Sequence, residues 1–284
     1  MVLTGLVLAV ISATGSGGGI KLGERIAVIP IDGVIGDDKK VLDEIREFRD
    51  DASIKGYVVA INSPGGSVGP SQSIYSEIKR IRQEDKKPVI AAISSVGASG
   101  GYYVALAADS IYANPGSITG SIGVIMELPN VEPLMKKVGV EWQVVKSAEH
   151  KDIGSPFRQM TPGDRDLLNA MVQDVYGQFV DVVSKERRLN RADVLQLADG
   201  RVLSGRQAQQ SKLIDRLGNF NDAVAAAGRM AGIGKRPKLV YPTEKKPTLF
   251  DVLLGRAAVS TISTIMRPIE DAASTPRVKF QVPL

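Results

Sequence analysis

The chain has 284 residues, no cysteine, one histidine and a formal net charge of +5, with 43% hydrophobic and 5% aromatic residues. The lack of cysteine excludes disulfides, thiolate zinc sites and cysteine nucleophiles, and a lone imidazole, His150, argues against a histidine-built metal site. Basic clusters such as Arg187-Arg188 and Lys235-Arg236 alternate with acids, so the excess charge reads as a solvated face and not a nucleic-acid surface.

From Met1 to Ala13 the chain is apolar and uncharged, then passes into a Gly/Ser spacer from Ser16 to Gly19. A helix needs about 20 apolar residues to span a bilayer, and a secretory signal has a basic start. The run is short and lacks that start, so three readings stand open: an anchor that begins before this chain, an atypical signal peptide, or a buried strand.

From Arg25 onward, short β-branched runs alternate with amphipathic stretches, which predicts βαβ units and a mostly parallel sheet. Strands are expected at Ile26 to Ile31, Gly56 to Asn62, and Pro88 to Ile93, the last running into Gly97-Ala98-Ser99. Helices are expected from Val41 to Phe48 and from Pro70 to Gln83, on apolar spacings of three and four. Tyr102 to Ala108 reads as an interior small-residue helix and Ser110 to Ala113 as a strand. Gly116, Gly120 and Gly123 then mark a loop, and Trp142 to Val145 a further strand. Thr161 is a good N-cap, with Pro162 at the first helical position, for a helix reaching about Arg188. Two more helices start at Ser204 and Asn219, and the apolar tail from Thr248 to Met266 suggests packing on a neighbour or at a membrane.

Acyl chemistry needs a nucleophile, a base and donors aimed at the developing oxyanion. Ser99 sits at a strand-to-helix turn in Gly97-Ala98-Ser99-Gly100-Gly101, and a second glycine turn follows Ser63-Pro64 at Gly65-Gly66. If those turns lie side by side, the amides of Gly66 and Gly100 are the natural oxyanion donors. Lysine is ordinarily protonated, with a reference pKa of about 10.4; a catalytic amine requires burial away from carboxylates. Lys151 is the candidate base, and the Ser121 hydroxyl a candidate to orient it. Gly97-x-Ser99-x-Gly101 also fits a nucleophile elbow, with Asp109 and His150 in hydrolase order, although over 130 residues follow His150.

Four ordered motifs, Asn62 to Val68, Gly97 to Tyr103, Gly116 to Val124 and Lys151 to Pro156, together resemble signal peptide peptidase A. The resemblance extends through Asp199 to Val202 and Ser204 to Ala208, covering roughly residues 25 to 230. It implies a Clp-protease/crotonase-like α/β fold of repeated ββα and βαβ units, with a parallel sheet and a C-terminal helical extension. It also implies a membrane-bound serine endopeptidase that degrades released signal peptides and other extended chains.

On that resemblance Ser99 is the nucleophile, Lys151 the general base and Ser121 its hydrogen-bond partner, with Gly66 and Gly100 forming the oxyanion hole. No cofactor, metal or nucleic acid is implied. Half-length members form octameric homo-oligomer rings in which serine and lysine come from adjacent protomers. The implied domains are an apolar segment and spacer at 1–19, the peptidase domain at 20–242 and an extension at 243–284. The first would be a single-pass anchor in the cell membrane, with the catalytic domain on the extracytoplasmic side. His150 stands where the family places an aromatic or bulky residue, and is expected to act as a packing substitute. Two rivals are a serine–lysine peptidase of the stomatin-partner type and a crotonase-type acyl-CoA enzyme, with Glu127 as its acid/base.

Overall fold

The computed structural model describes residues 23–243 and a strand at 278–281. Strand β1 (Arg25–Asp32) leads through α1 (Lys39–Asp50) to β2 (Ile54–Ser63), then β3 (Gly65–Ser67) and α2 (Val68–Gln83). Strand β4 (Val89–Ala98) runs into α3 (Gly100–Ala105), followed by β5 (Ser110–Ala113), β6 (Ile118–Gly120) and β7 (Ile125–Met126). Beyond α4 (Glu132–Lys137) and a 3-10 turn at Glu149–Asp152 come α5 (Pro162–Arg187) and α6 (Arg191–Leu197). The remaining elements are β8 (Val202–Ser204), α7 (Gly205–Gln210), β9 (Arg216–Leu217), α8 (Phe220–Met230), β10 (Lys238–Val240) and β11 (Val278–Gln281).

Side chains alternate across a strand, and here that alternation divides the interior in two. Ala27, Ile29 and Ile31 of β1, Tyr57, Val59 and Ile61 of β2, and Val89, Ala91 and Ile93 of β4 enter one core. Ile26, Val58, Ile90 and Ala92 enter the other, where α8 covers them with Ala223, Val224, Ala226 and Ala227. Strands buried on both faces need helices on both, the usual condition of a parallel sheet. The sheet runs β10-β1-β2-β4-β5-β9, every pair parallel. Off this path β6 continues alongside β4 in parallel, and β8 closes antiparallel on β6.

Helix α5 begins in a capping box: Asp164 N–H donates to Thr161 Oγ1 at 3.1 Å, and Thr161 N–H to the Asp164 carboxylate at 3.2 Å. The expected helices after Ser204 and Asn219 are present, each with its own capping box. Two expectations change. The stretch read as a loop between Gly116 and Gly123 contains β6, because Ile118–Gly120 pair with Val96–Ala98 beyond the end of β5. Trp142 to Val145 form no strand: among the described residues no backbone pairs with them, and all four residues are exposed. Residues 1–19, the apolar tail and most of the expected C-terminal extension lie outside the described residues. Among the described residues no helix is long and apolar enough to cross a membrane.

Candidate active site

Ser99 stands between the last residue of β4 and the first of α3, with φ 51° and ψ −116°. A residue carrying Cβ holds that conformation at a cost of roughly 1–3 kcal/mol, so surrounding contacts must impose it. They are identifiable. Ser99 N–H donates to Gly120 O at 2.8 Å, and Ser99 O accepts from Tyr103 N at 2.8 Å. Thr119 Oγ1 donates to Gly97 O at 2.7 Å, tying β6 to the approach. Tyr102 donates to Leu213 O at 2.7 Å, and the Tyr103 ring packs edge-on between Tyr75 and Phe179, each 5.1 Å away. Ser99 retains 1% of its surface, and its Oγ has no hydrogen-bond partner among the described residues.

The second turn is brought to the first by the parallel pairing of β2 with β4, which sets Ser63 opposite Gly97. Ser63 Oγ donates to Gly33 O at 2.6 Å and accepts from Gly65 N at 3.1 Å. Ile35 grips the turn from outside: its N–H donates to Gly65 O at 2.9 Å and its O accepts from Ser67 N at 2.7 Å. A methyl group on Gly66 would lie 2.3 Å from Ile35 O. One on Gly100 would lie 2.6 Å from Ser71 Oγ and 3.2 Å from Gly66 N. Glycine is therefore required at both positions for close approach, and the two turns abut. As the first helical residue, Gly100 has an N–H without an intrahelical acceptor.

Ser121 follows the carbonyl that binds Ser99 N–H, so it shares the neighbourhood; it is 6% exposed with φ 50°, and its own N–H donates to Arg201 O. A cleft of about 360 Å³ opens beside it, lined by Ser121, Val124, Ile125, Tyr176, Ala198 and Gly200. Ser99, Ser121, Gly66 and Gly100 are thus gathered at the carboxyl ends of neighbouring strands.

Lys151 lies exposed on the 3-10 turn, and among the described residues no hydrogen bond joins it to Ser99 or Ser121. Two acids nearby, Asp152 and Asp164, are engaged elsewhere. Asp152 pairs with Arg158 at 2.9 Å and Lys146 at 2.8 Å, and these hydrogen bonds hold its carboxyl well below the usual range. Asp164 takes Arg158 at 2.6 Å and His150 at 3.0 Å, and is held low by the same two groups in that order. His150 is therefore a polar partner of the α5 cap and not a packing substitute. The nucleophile-elbow triad fails on the same geometry. Asp109 accepts from Val89 N at 2.9 Å, at the opening of the ten-residue β4, whereas Ser99 follows its end. At about 3.3 Å per residue the two are on the order of 30 Å apart.

Sequence reasoning missed the residues that shape the turns: Ser63, Ser71 and Thr119, all in or beside the quoted motifs, and Ile35, which no motif marks.

A buried hydroxyl on a strained elbow, set against paired glycine turns at the top of a parallel sheet, defines a class of α/β hydrolytic sites built for acyl transfer. Residues 81–234 match peptidase family S49, over half the chain. A Synechocystis protein named as a candidate protease is 41% identical over 212 residues, covering 74% of this chain and 76% of its own. A similarly named Methanocaldococcus jannaschii protein is 33% identical over 259 residues, covering 86% and 83%. An Enterococcus faecium protein named as a candidate signal peptide peptidase SppA is 33% identical over 214 residues, covering 71% of this chain and 62% of its own. The chain belongs to peptidase family S49 and is of the SppA type, with the Clp-protease/crotonase-like fold.

Proposed function

We propose that this peptidase is a membrane-associated serine endopeptidase with a serine–lysine dyad, cutting released signal peptides and other extended polypeptides. The observation that carries the reading is the buried, unpartnered Ser99 hydroxyl on its strained elbow beside Gly66 and Gly100. A buried polar group without a partner calls for an explanation, and a nucleophile awaiting its base supplies one. Ser99 Oγ attacks the scissile carbonyl as a neutral Lys151 amine takes its proton, and Ser121 orients that amine. The N–H groups of Gly66 and Gly100 donate to the oxyanion, the lysine protonates the leaving amine, and water then releases the acyl group.

The base comes from an adjacent copy. Lys151 rides on a segment whose apolar side chains Leu134, Val138, Trp142, Val144 and Val145 are exposed, and α4 has no buried residue. Apolar exposure on this scale marks an interaction surface. Seating it on a neighbour would cover the amine away from carboxylates and deliver it beside Ser121. The assembly is a homo-oligomeric ring, octameric as in half-length relatives, which limits substrates to extended chains. Residues 1–19 belong to a single-pass anchor in the cell membrane, 20–242 form the extracytoplasmic peptidase domain, and 243–284 extend it.

The test is cleavage of a leucine- and alanine-rich fluorogenic peptide. Ser99→Ala and Lys151→Ala each lose at least about a thousandfold in kcat, as expected for members of one catalytic unit. Mixing the two inactive variants restores turnover, because a mixed ring pairs an intact serine with an intact lysine. Retained turnover in Lys151→Ala would sink the assigned base, and a mixture that stays inactive would sink the shared dyad.

A further inference from the structure

Strand β1 ends at Asp32, and Gly33, at φ 69°, turns the chain toward the Gly66 turn, where Ile35 bridges in parallel to Gly66. A cleft of about 200 Å³ lies between this crossing and α1, with Ile31, Ile35 and Ile74 as buried apolar walls. Its charged lining is three acids, Asp32, Asp37 and Glu44, against one cation, Lys40. Asp32 and Asp37 are exposed, but Glu44 is not. The Glu44 side chain keeps 11% of its surface, and its Oε2 is buried without a hydrogen-bond partner among the described residues. Lys40 stands 3.8 Å from the other carboxylate oxygen, beyond hydrogen-bond reach, and its side chain is 82% exposed. Burial raises the Glu44 carboxyl from its ordinary value, with Lys40 lowering it and Glu47 raising it. Among the described residues the Ser99 hydroxyl is the only other buried side-chain polar atom left so. An orphaned buried acceptor calls for an explanation.

We infer that this cleft takes one basic side chain of the substrate peptide, a lysine or arginine, with Glu44 Oε2 accepting its N–H. The inference deepens the peptidase reading, on which it rests for the peptide itself. Sites for drug-sized ligands run to about 300–1,000 Å³, so a cleft of about 200 Å³ suits a single side chain. A basic side chain lays its aliphatic stem on apolar walls while its head meets a carboxylate. The acids do not converge as metal ligands: among the described residues no group of three such side chains could hold an ion. Ile35 lines the cleft and also holds the Gly66 turn through Gly65 O and Ser67 N. A side chain seated there therefore fixes the peptide close to the acyl site. A released signal peptide brings such residues in its basic start. The chain's net charge of +5 repels cations at large, so a preference for a basic residue has to be local.

The experiment uses the full-length chain carrying Ser99→Ala, so that nothing is cut. Fluorescent leucine- and alanine-rich decapeptides, with a single lysine moved along the sequence, are titrated by anisotropy against peptides with norleucine in its place. At one register the lysine peptide binds about tenfold more tightly, as one charge-assisted hydrogen bond provides. Glu44→Gln abolishes that preference and leaves the norleucine peptide's affinity unchanged, because the amide keeps the shape and loses the charge. Lys40→Met removes the resident cation and widens the preference severalfold. Added n-butylammonium brings the lysine peptide down to the affinity of the norleucine peptide. No preferred register, or a preference that survives Glu44→Gln, overturns the inference. Should Glu44→Gln bind no peptide at all, Lys40→Met decides, and a preference it leaves unchanged overturns the inference equally. Binding does not depend on turnover, so failure of the serine–lysine reading would appear separately in the cleavage assay.

Discussion

Ser99 is confined by hydrogen bonds on both its N–H and its carbonyl, and the glycines beside it leave no space for a side chain. Gly100→Ala would drive a methyl group into Ser71 Oγ and the Gly65-Gly66 backbone. The expected result is a fall of about 10²–10³ in kcat, the usual cost of disturbing one oxyanion donor. Circular dichroism should show the fold retained, and Ser71→Ala should recover part of the loss. His150→Ala is expected to keep turnover within a few-fold, because its ring faces Asp164 in the α5 cap. Inactivity with intact assembly would return the imidazole to the chemistry.

At the scale of elements, α3 is oriented by the rings of Tyr75, Tyr103 and Phe179, which link α2, α3 and α5. Phe179 is fully buried, so Phe179→Ala should cost roughly 3–5 kcal/mol in urea unfolding. Helices α2 and α5 are also clamped by Glu186, which accepts from Lys79 at 2.5 Å, Arg82 at 2.7 Å and Tyr75 at 2.8 Å. Burial alone would raise its carboxyl, but the hydrogen bonds from Arg82, Lys79 and Tyr75 outweigh it and hold the group at about 2. An unfolded glutamate titrates near 4.3, so the folded value is depressed. Its stabilisation, at most about 3 kcal/mol, is therefore present above about pH 4 and is lost as pH falls toward 2. Glu186→Gln should lower stability at neutral pH and flatten its dependence on pH between about 2 and 4.

For the whole molecule, the proposed shared dyad rests on the segment carrying Lys151. Its Trp142 ring stacks on Phe157 at 4.3 Å, yet Trp142 stays 55% exposed and Val145 beside it is fully exposed. Val145→Asp should leave the monomer folded while sedimentation shows dissociation and turnover collapses. A folded, fully assembled and active Val145→Asp chain would remove this surface from the interface.

Local structure was readable without coordinates. The β-branched strand runs, the helix starts at Thr161, Ser204 and Asn219, and the glycine turns depend on neighbours within a few residues, and so they follow from residue order. Ser99, Gly66 and Gly100 were legible for the same reason, since each belongs to a short motif with its own backbone demand. Trp142 to Val145 misled because β-branched composition cannot supply a partner strand. Only the folded chain could set Ser63 opposite Gly97, lay Ile35 against the Gly66 turn, give His150 to Asp164, and run β11 between β3 and β7. Those contacts join residues far apart in sequence. Their energies come from packing and pairing across the sheet, which no local pattern encodes.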